Sequence, residues 1–398
     1  MNTMSEIYDV IVIGRGLFGS PAAKYLQTDG LKTLLIGPSE PKPADFKDAK
    51  VFSSHYDSGR VTRKIGKTKD WSKLNTQTQA AFKSIVDQSG IAFYGNEGCL
   101  YVSDLLPDDH FNKAIDYQLL AKEANDFQVL NETQLEQLFP YFYFQKPSVA
   151  YFEKALSGHL NPRLLIEAQL AIFAKSGGKL VDDVVETVID KTDFYEVTTG
   201  KAQTFRTKKV LYATGVFHPF FQFNTPDVPL EIKTETIILA EVSKKQAEEL
   251  QQMPSILYTC KTDTYDEIYG IQPVLYPDEK YYFKLGANLK DDRFLTNLED
   301  IKNWFCREPL PEQLAVLKQM AIDLCPTIDF LSFQIKHCII EYTQSRRPLI
   351  AQIGREQYIC TGGNGYGAMC SDAMGRLGAN CTQGLDFESE FSTGFFRL

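Results

Sequence analysis

An α/β chain is predicted, with one Rossmann-type domain built on parallel strands and a second α+β domain built on a mixed, largely antiparallel sheet. Three observations predict it. The segment YDVIVIGRGLFGSPAAKYLQTDGLKTLLIG reads as a buried strand from Tyr8 to Ile13, a glycine turn, a helix to about Gln27 and a strand from Thr33 to Ile36, which together make a βαβ unit. The stretch from about 229 to 290 alternates in the manner of antiparallel strands. No repeat, low-complexity segment or linker separates the two patterns, so the domains are expected to interleave.

The remaining elements follow in chain order. Residues 72–88 and 111–138 have helical texture, and IAFYGNEGCLYVSD between them reads as strands around a turn at Gly98. PRLLIEAQLAIFAKSG is a helix opened by Pro162 in its first turn and closed at the Gly177, Gly178 pair. KLVDDVVETVI is extended, and KKVLYATG is a hydrophobic strand ending in a small-residue turn. Residues 298–324 are helical. EQYICTGG is a last strand running into a glycine-rich turn and a helix from about Ala368 to Leu377.

Composition sets limits on function. The 398 residues exceed twice a typical domain of ~150, and 43% hydrophobic with 23% charged residues excludes a largely disordered, collagen-like or coiled-coil chain. Lys and Arg number 42 against 51 Asp and Glu, a formal charge of -9, so neither nucleic acid nor an anionic membrane surface is an expected partner. The eight cysteines form no CxxC pair and the five His are scattered, so no metal site is expected. A reduced, cytoplasmic chain is the simplest reading. The apolar run from Val10 to Ile13 is too short for a secretory or membrane segment, and no run approaches ~18 apolar residues.

Gly14, Arg15, Gly16, Leu17, Phe18 and Gly19 spell GxGxxG between an apolar strand and a helix. In that setting Gly14 makes the tight turn, Gly16 lets a pyrophosphate approach the backbone and Gly19 lets helix and strand pack closely. The helix N-terminus offers N–H groups and a positive dipole end to the phosphates. The acid expected about 20 residues on to hold a ribose is replaced by Gly37. Either Glu40, on the following loop, or the backbone takes that role; Lys32 and Lys42 read as solvated charges.

Four further segments follow in order: Ser54-His55-Tyr56-Asp57-Ser58-Gly59-Arg60-Val61-Thr62-Arg63, Gly158-His159-Leu160-Asn161-Pro162, Leu211-Tyr212-Ala213-Thr214-Gly215, and Gly362-Gly363-Asn364-Gly365-Tyr366-Gly367. Together with the βαβ unit they resemble the D-amino acid oxidase superfamily of FAD-dependent enzymes, in particular its sarcosine oxidase-like branch. The resemblance implies FAD as cofactor, with Ser54, His55 and Arg60 beside it. Val185 would meet adenine through its backbone, and Thr214 and Gly215 would form the turn that closes on the cofactor. Gly363, Asn364, Gly365, Tyr366, Gly367, Ala368 and Met369 would form the turn before the last helix. Small residues there let backbone come against a flat ring, and the helix N-terminus stabilises negative charge on a reduced flavin.

Chemistry enters by the same resemblance. Lys284, in Tyr281-Tyr282-Phe283-Lys284-Leu285-Gly286, resembles the family's KxG segment, whose Lys is held over the flavin by water. A cation there assists electron transfer to oxygen. Tyr269, followed by Gly270, resembles a tyrosine-glycine pair at the family's substrate pocket. Arg63 is implied as a carboxylate ligand, an arginine fork giving two parallel hydrogen bonds, with Arg60 near the flavin. Three positions depart from the pattern: a second carboxylate-binding Lys is Met369, a pocket His is Asn288, and the Cys that bonds covalently to flavin is Ile340. Cys338 lies two residues back, about 6–7 Å along a strand, so noncovalent FAD is expected. Arg346 or Arg347 could replace the missing Lys as an anion clamp, or stand in a solvated loop.

The expected function is oxidation of the C–N bond of an amine or amino acid to an imine, with oxygen as acceptor and hydrogen peroxide as product. The FAD domain is expected at 1–85, 151–225 and 336–398, and the substrate domain at 86–150 and 226–335. Three alternatives stay open: a dehydrogenase of the same fold that uses a quinone or protein acceptor, a non-catalytic flavin-binding scaffold, and an NAD-binding protein.

Overall fold

The computed structural model describes residues 6–104, 127–145, 149–154, 156–260 and 262–397. The apolar run DVIVI lies in the central strand Ile7–Ile13 of an eight-stranded sheet. It pairs in parallel with Thr33–Ile36 on one side and Thr204–Tyr212 on the other. Lys179–Val181 extends one edge; Gln357–Thr361 and Leu349–Gly354 extend the other, and the hairpin Val185–Asp190 with Tyr195–Thr199 joins Thr204–Tyr212. Alternation along Ile7–Ile13 sends Val10 and Val12 to one face and Ile11 and Ile13 to the other, each into its own apolar core. That double burial is why the strand reads as a continuous apolar run.

The helices Gly19–Thr28, Pro162–Lys175 and Ser371–Gln383 cover one face. They meet at Asp372, a buried carboxylate that accepts from Lys24 Nζ at 2.8 Å, Tyr25 Oη at 2.7 Å and Gln169 Nε2 at 2.9 Å. The βαβ unit, the helix at 162 and the extended 179–189 segment lie where the sequence puts them.

A nine-stranded sheet holds Leu230–Val242 flanked by Tyr281–Leu289 and Ser332–Thr343, and continues through Tyr265–Leu275, Ser255–Thr259, Cys99–Ser103, Val149–Glu153 and Phe127–Leu130. Among the described residues its pairings are antiparallel except Ser255–Thr259 with Cys99–Ser103, so the sheet is mixed and largely antiparallel. The helix Pro311–Leu324 buries Leu317, Met320, Ala321 and Leu324 against one face. A short antiparallel pair, Arg60–Thr62 with Gly158–Leu160, stands apart from both sheets.

Several details differ from expectation. Of the expected helix at 111–138, residues 111–126 lie outside the described residues; Phe127–Leu130 is a strand, and the helix is confined to Glu132–Leu138 behind an Asn131/Gln134 capping box. One strand, Cys99–Ser103, follows Gly98 (φ 90°), while Tyr94 before it makes only an isolated bridge to Leu160. A short helix, Lys244–Glu249, interrupts the antiparallel stretch. The last helix starts at Ser371 rather than Ala368, because the glycine turn continues to Cys370, and it runs on to Gln383. Sheet membership places the whole strand Ser332–Thr343 with the second sheet, beyond the expected boundary at 336, and likewise Val149–Glu153.

Candidate active site

A cavity of about 380 Å³ lies between the sheets, walled by backbone in one part and by side chains in the other. The glycine turn after the first strand walls the backbone part. Gly14 has φ +112°, and a Cβ there would collide with the Ala213 carbonyl. A Cβ on Gly19 would strike the Gly14 carbonyl, so Gly19 packs helix on strand and does not line the cavity. Gly16 faces open space: a Cβ there would meet Ser53 Oγ at 3.7 Å and nothing nearer. Leu17 and Phe18 complete this wall, and the first turn of the helix carries no acid that would repel a phosphate.

Gly37 has a physical explanation. A Cβ there would meet Arg15 N at 2.5 Å, so the acid usual at this place has no room. Glu40 does not replace it. Both of its oxygens accept from Arg163 at 2.6 Å and it does not line the cavity, which favours the backbone of the two alternatives for holding a ribose. Asp183, Val184 and Val185 line the wall beyond Gly37. Ser54 and His55 also line the cavity. Burial first, then the charges of Arg15, Arg163 and Arg60, lower the His55 pKa to about 3, so its ring is neutral. Thr214 and Gly215 (φ +53°) close that side.

The second glycine turn supplies the opposite wall, from Gly363 through Asn364, Gly365, Tyr366, Gly367 and Ala368 to Met369. Asn364 is left-handed (φ 47°) and is held there by its amide, which donates to the Gly362 carbonyl at 2.6 Å and accepts the Thr343 N–H at 3.0 Å. Glycine-lined walls on both sides and a helix N-terminus without facing acid suit the pyrophosphate and flat ring of a dinucleotide.

Charged and aromatic side chains converge in the other part. Arg63 is buried, with its guanidinium 5.4 Å from the Tyr366 ring centre and 5.7 Å from that of Tyr101. Lys284 donates to Asp57 Oδ2 at 2.7 Å and to the Gly59 carbonyl at 2.7 Å. Asp57 also accepts Tyr276 Oη at 2.7 Å and pairs with Arg60, whose Nη2 donates to the Ser54 carbonyl at 2.9 Å. Lys284 therefore lines the cavity as one member of a buried ion cluster. Burial first, then the charge of Arg60, push its pKa well below that of a free lysine, with the Asp57 carboxylate 2.7 Å from its nitrogen. Tyr269 donates its hydroxyl to Glu235 Oε1 at 2.8 Å, and Asn288 Nδ2 donates to Glu267 Oε2 at 2.9 Å.

Arg346 and Arg347 stay outside the cavity. Arg346 (φ 57°) pairs with Glu231 at 2.6 Å and lies over the Tyr342 ring. Arg347 is exposed, its carbonyl accepting the Thr343 hydroxyl at 2.6 Å. Arg346 is held by Glu231 and Tyr342 and Arg347 is exposed, so neither joins Arg63. Ile340 and Cys338 both line the cavity, with Cys338 Sγ 3.9 Å from Arg60 Nη2.

Sequence reasoning missed three acids. Glu235, Glu267 and Glu341 line the cavity. Glu341 is held by the Thr361 hydroxyl at 2.6 Å and the Gly362 N–H, with its pKa raised by burial. For Glu235 a signal existed, a carboxylate two residues before Ile237 at the head of the apolar run TIILA. Among the described residues no group of three or more His, Cys, Asp and Glu could hold a metal ion, and no helix is long and apolar enough to cross a membrane.

Comparison with known proteins agrees with this geometry. The family model for FAD dependent oxidoreductase matches residues 9–380. Monomeric sarcosine oxidase of Arthrobacter sp. (strain TE1826) is 24% identical over 66% of this chain and 66% of its own length. N-methyl-L-tryptophan oxidase of Yersinia pestis (strain Pestoides F) is 25% identical over 53% of this chain and 54% of its own. Among solved structures, the open form of a point mutant of NikD, an unusual amino acid oxidase, superposes with a TM-score of 0.76 at 15% identity over 99% of this chain and 97% of its own. L-proline dehydrogenase from P. horikoshii does so with 0.73 at 16% identity over 96% and 95%. The strand, glycine turn and helix at 7–28 and the second glycine turn at 362–370 thus sit in a chain that belongs to the family of FAD dependent oxidoreductases.

Proposed function

We propose that this protein oxidises the C–N bond of a small amine or amino acid to an imine, with oxygen accepting the electrons and hydrogen peroxide as product. The observation that carries this reading is one cavity that is lined both by the two glycine turns, which suit FAD, and by Arg63, Tyr269, Lys284 and Glu235. Relatives named as oxidases of sarcosine and of N-methyl-L-tryptophan support an amine substrate.

FAD supplies the two-electron acceptor for a hydride leaving carbon; the protein's part is binding, orientation and electrostatics. Gly14, Gly16 and the helix N-terminus would hold the pyrophosphate, and Gly363 to Met369 would lie against the ring. Arg63 would take a substrate carboxylate, its guanidinium already fixed between two tyrosine rings. Ile237, Leu257 and Ile271, which line the same cavity, would limit water around the reacting carbon. Eight cysteines without a disulfide support a reducing, cytoplasmic setting.

Lys284 is the residue for oxygen. Lys284→Met is expected to slow reoxidation of the reduced enzyme by oxygen about 10²-fold while leaving anaerobic reduction by substrate nearly unchanged; stopped-flow mixing with air-saturated buffer reads both. Its pairing with Asp57 favours a second reading, a dehydrogenase that uses a quinone or protein acceptor, because a neutralised lysine attracts less developing negative charge. Wild-type protein that turns over with a quinone but makes no peroxide in air would establish that reading.

FAD is proposed to be noncovalent, since the position expected to carry the bonding Cys is Ile340. Acid precipitation is expected to leave a yellow supernatant over a colourless pellet. A flavin that stays with the pellet, and leaves it in Cys338→Ser, would show a bond to Cys338.

A further inference from the structure

Glu235 lies in the cavity wall at 2% exposure, on the strand Leu230–Val242. Its Oε1 accepts the Tyr269 hydroxyl at 2.8 Å and its Oε2 accepts Lys233 Nζ at 3.2 Å. Lys233 also pairs with Asp292 at 2.7 Å, so one ammonium serves two buried carboxylates. Glu267 stands on the same wall, with the neutral Asn288 as its hydrogen-bond donor. Of the cations that line the cavity, Arg60 and Lys284 pair with Asp57, Arg63 sits against Tyr101 and Tyr366, and Lys67 lies 5.8 Å from the Tyr366 ring centre. Glu235 and Glu267 thus present to the cavity two carboxylates held by Tyr269, Lys233 and Asn288. An alkyl amine reaches the cavity at neutral pH as an ammonium, which holds no lone pair for the carbon–nitrogen double bond.

We propose that Glu235 receives the substrate ammonium and removes its proton, with Tyr269 and Lys233 as positioning residues; this rests on the amine-oxidising reading above. In the step, the alkylammonium and the Glu235 carboxylate become the neutral amine and the Glu235 carboxylic acid. An N–H bond breaks, an O–H bond forms, and the electron pair stays on nitrogen. That pair then forms the C=N bond as the pair of the adjacent C–H bond passes as hydride to FAD, the oxidant. The product is the protonated imine, which water hydrolyses to a carbonyl compound and an amine. Burial raises the Glu235 carboxyl to about 7, Lys233 and the Tyr269 hydrogen bond pulling down and Asp292 pushing up. A base of that pKa is ionised in part of the population at neutral pH and can hold the proton it takes. The groups facing it are Lys233 on its own strand, Lys284 on the paired strand Tyr281–Leu289 with Asp292 beyond it, Tyr269 and Glu267 on Tyr265–Leu275, Cys338 and Tyr342 on Ser332–Thr343, and Arg60.

The test uses FAD-loaded enzyme, mixed anaerobically with an amine chosen from a panel for reducing the wild type, with the limiting reduction rate followed from acid to alkaline pH. The wild type is expected to show a limb rising through pH about 7. Glu235→Gln is expected to be slowed about 10²-fold or more and to keep only the limb set by the amine's own ionisation. Tyr269→Phe, which removes a hydrogen bond to the carboxylate form, is expected to move the limb to higher pH. Infrared difference spectra of the substrate-free holoproteins give a reading independent of turnover. The carboxylic C=O band of the wild type is expected to disappear as pH rises through about 7 and to be missing from Glu235→Gln. Wild-type rate and pH profile in Glu235→Gln, or an unmoved limb in Tyr269→Phe, overturns the role of Glu235 and leaves the amine-oxidising reading intact. A wild-type flavin that no amine of the panel reduces overturns that reading, and this proposal with it.

Discussion

Gly14→Ala is expected to yield protein without flavin and with its stability lowered by roughly 3 kcal/mol or more. A side chain at φ +112° carries backbone strain of about 1–3 kcal/mol. The added methyl would also collide with the Ala213 carbonyl, which belongs to the turn after the strand Thr204–Tyr212. Relieving that overlap displaces one of two paired strands, at an overpacking cost of about 1–3 kcal/mol. Both penalties fall where the cavity wall is backbone, so flavin binding is lost together with stability. Gly16→Ala is the control. Its methyl meets only Ser53 Oγ at 3.7 Å within the protein, so that variant is expected to fold normally and bind FAD more weakly, because the methyl occupies the cofactor's space. Urea midpoints and flavin absorbance per mole of protein measure both.

The second large effect is expected at Asp57. Asp57→Ala leaves Lys284 and Arg60 as buried or half-buried cations without their carboxylate, and strands the Tyr276 hydroxyl. Removing one partner of a buried pair costs about 3–5 kcal/mol, since the remaining charge keeps its desolvation penalty. The double variant Asp57→Asn with Lys284→Met is expected to recover part of the loss seen in Asp57→Asn alone, because the orphaned ammonium is gone. Equal stability of the single and double variants would show that the pair carries little of the cost.

Local patterns make the frame legible. The βαβ unit combines a buried strand, a glycine turn and an amphipathic helix within 30 residues, and nothing distant decides it. The strand Phe127–Leu130 reads as part of a helix because four residues of mixed polarity carry no period that separates helix from strand; its pairing with Val149–Glu153 decides it. Glu40 and Arg346 escape a correct placement because their partners are remote in sequence: Arg163 lies 123 residues from Glu40, and Glu231 faces Arg346 across the pairing of two long strands. Lys284 is recognisable by its segment, but the carboxylate that holds it is 227 residues away. Glu235 shows the same limit in reverse: an acid next to the apolar run TIILA is visible in sequence, whereas the side of the sheet it faces is settled only when Ser332–Thr343 and Tyr281–Leu289 pair beside it.

The central claim, amine oxidation at a flavin held between the two glycine turns, is tested most directly by anaerobic titration of the FAD-loaded protein with amines and amino acids. Bleaching of the flavin absorbance by one equivalent of an amine, with full return in air and one equivalent of hydrogen peroxide released, is the predicted result. A flavin that dithionite reduces but that no member of a broad amine panel bleaches would contradict it.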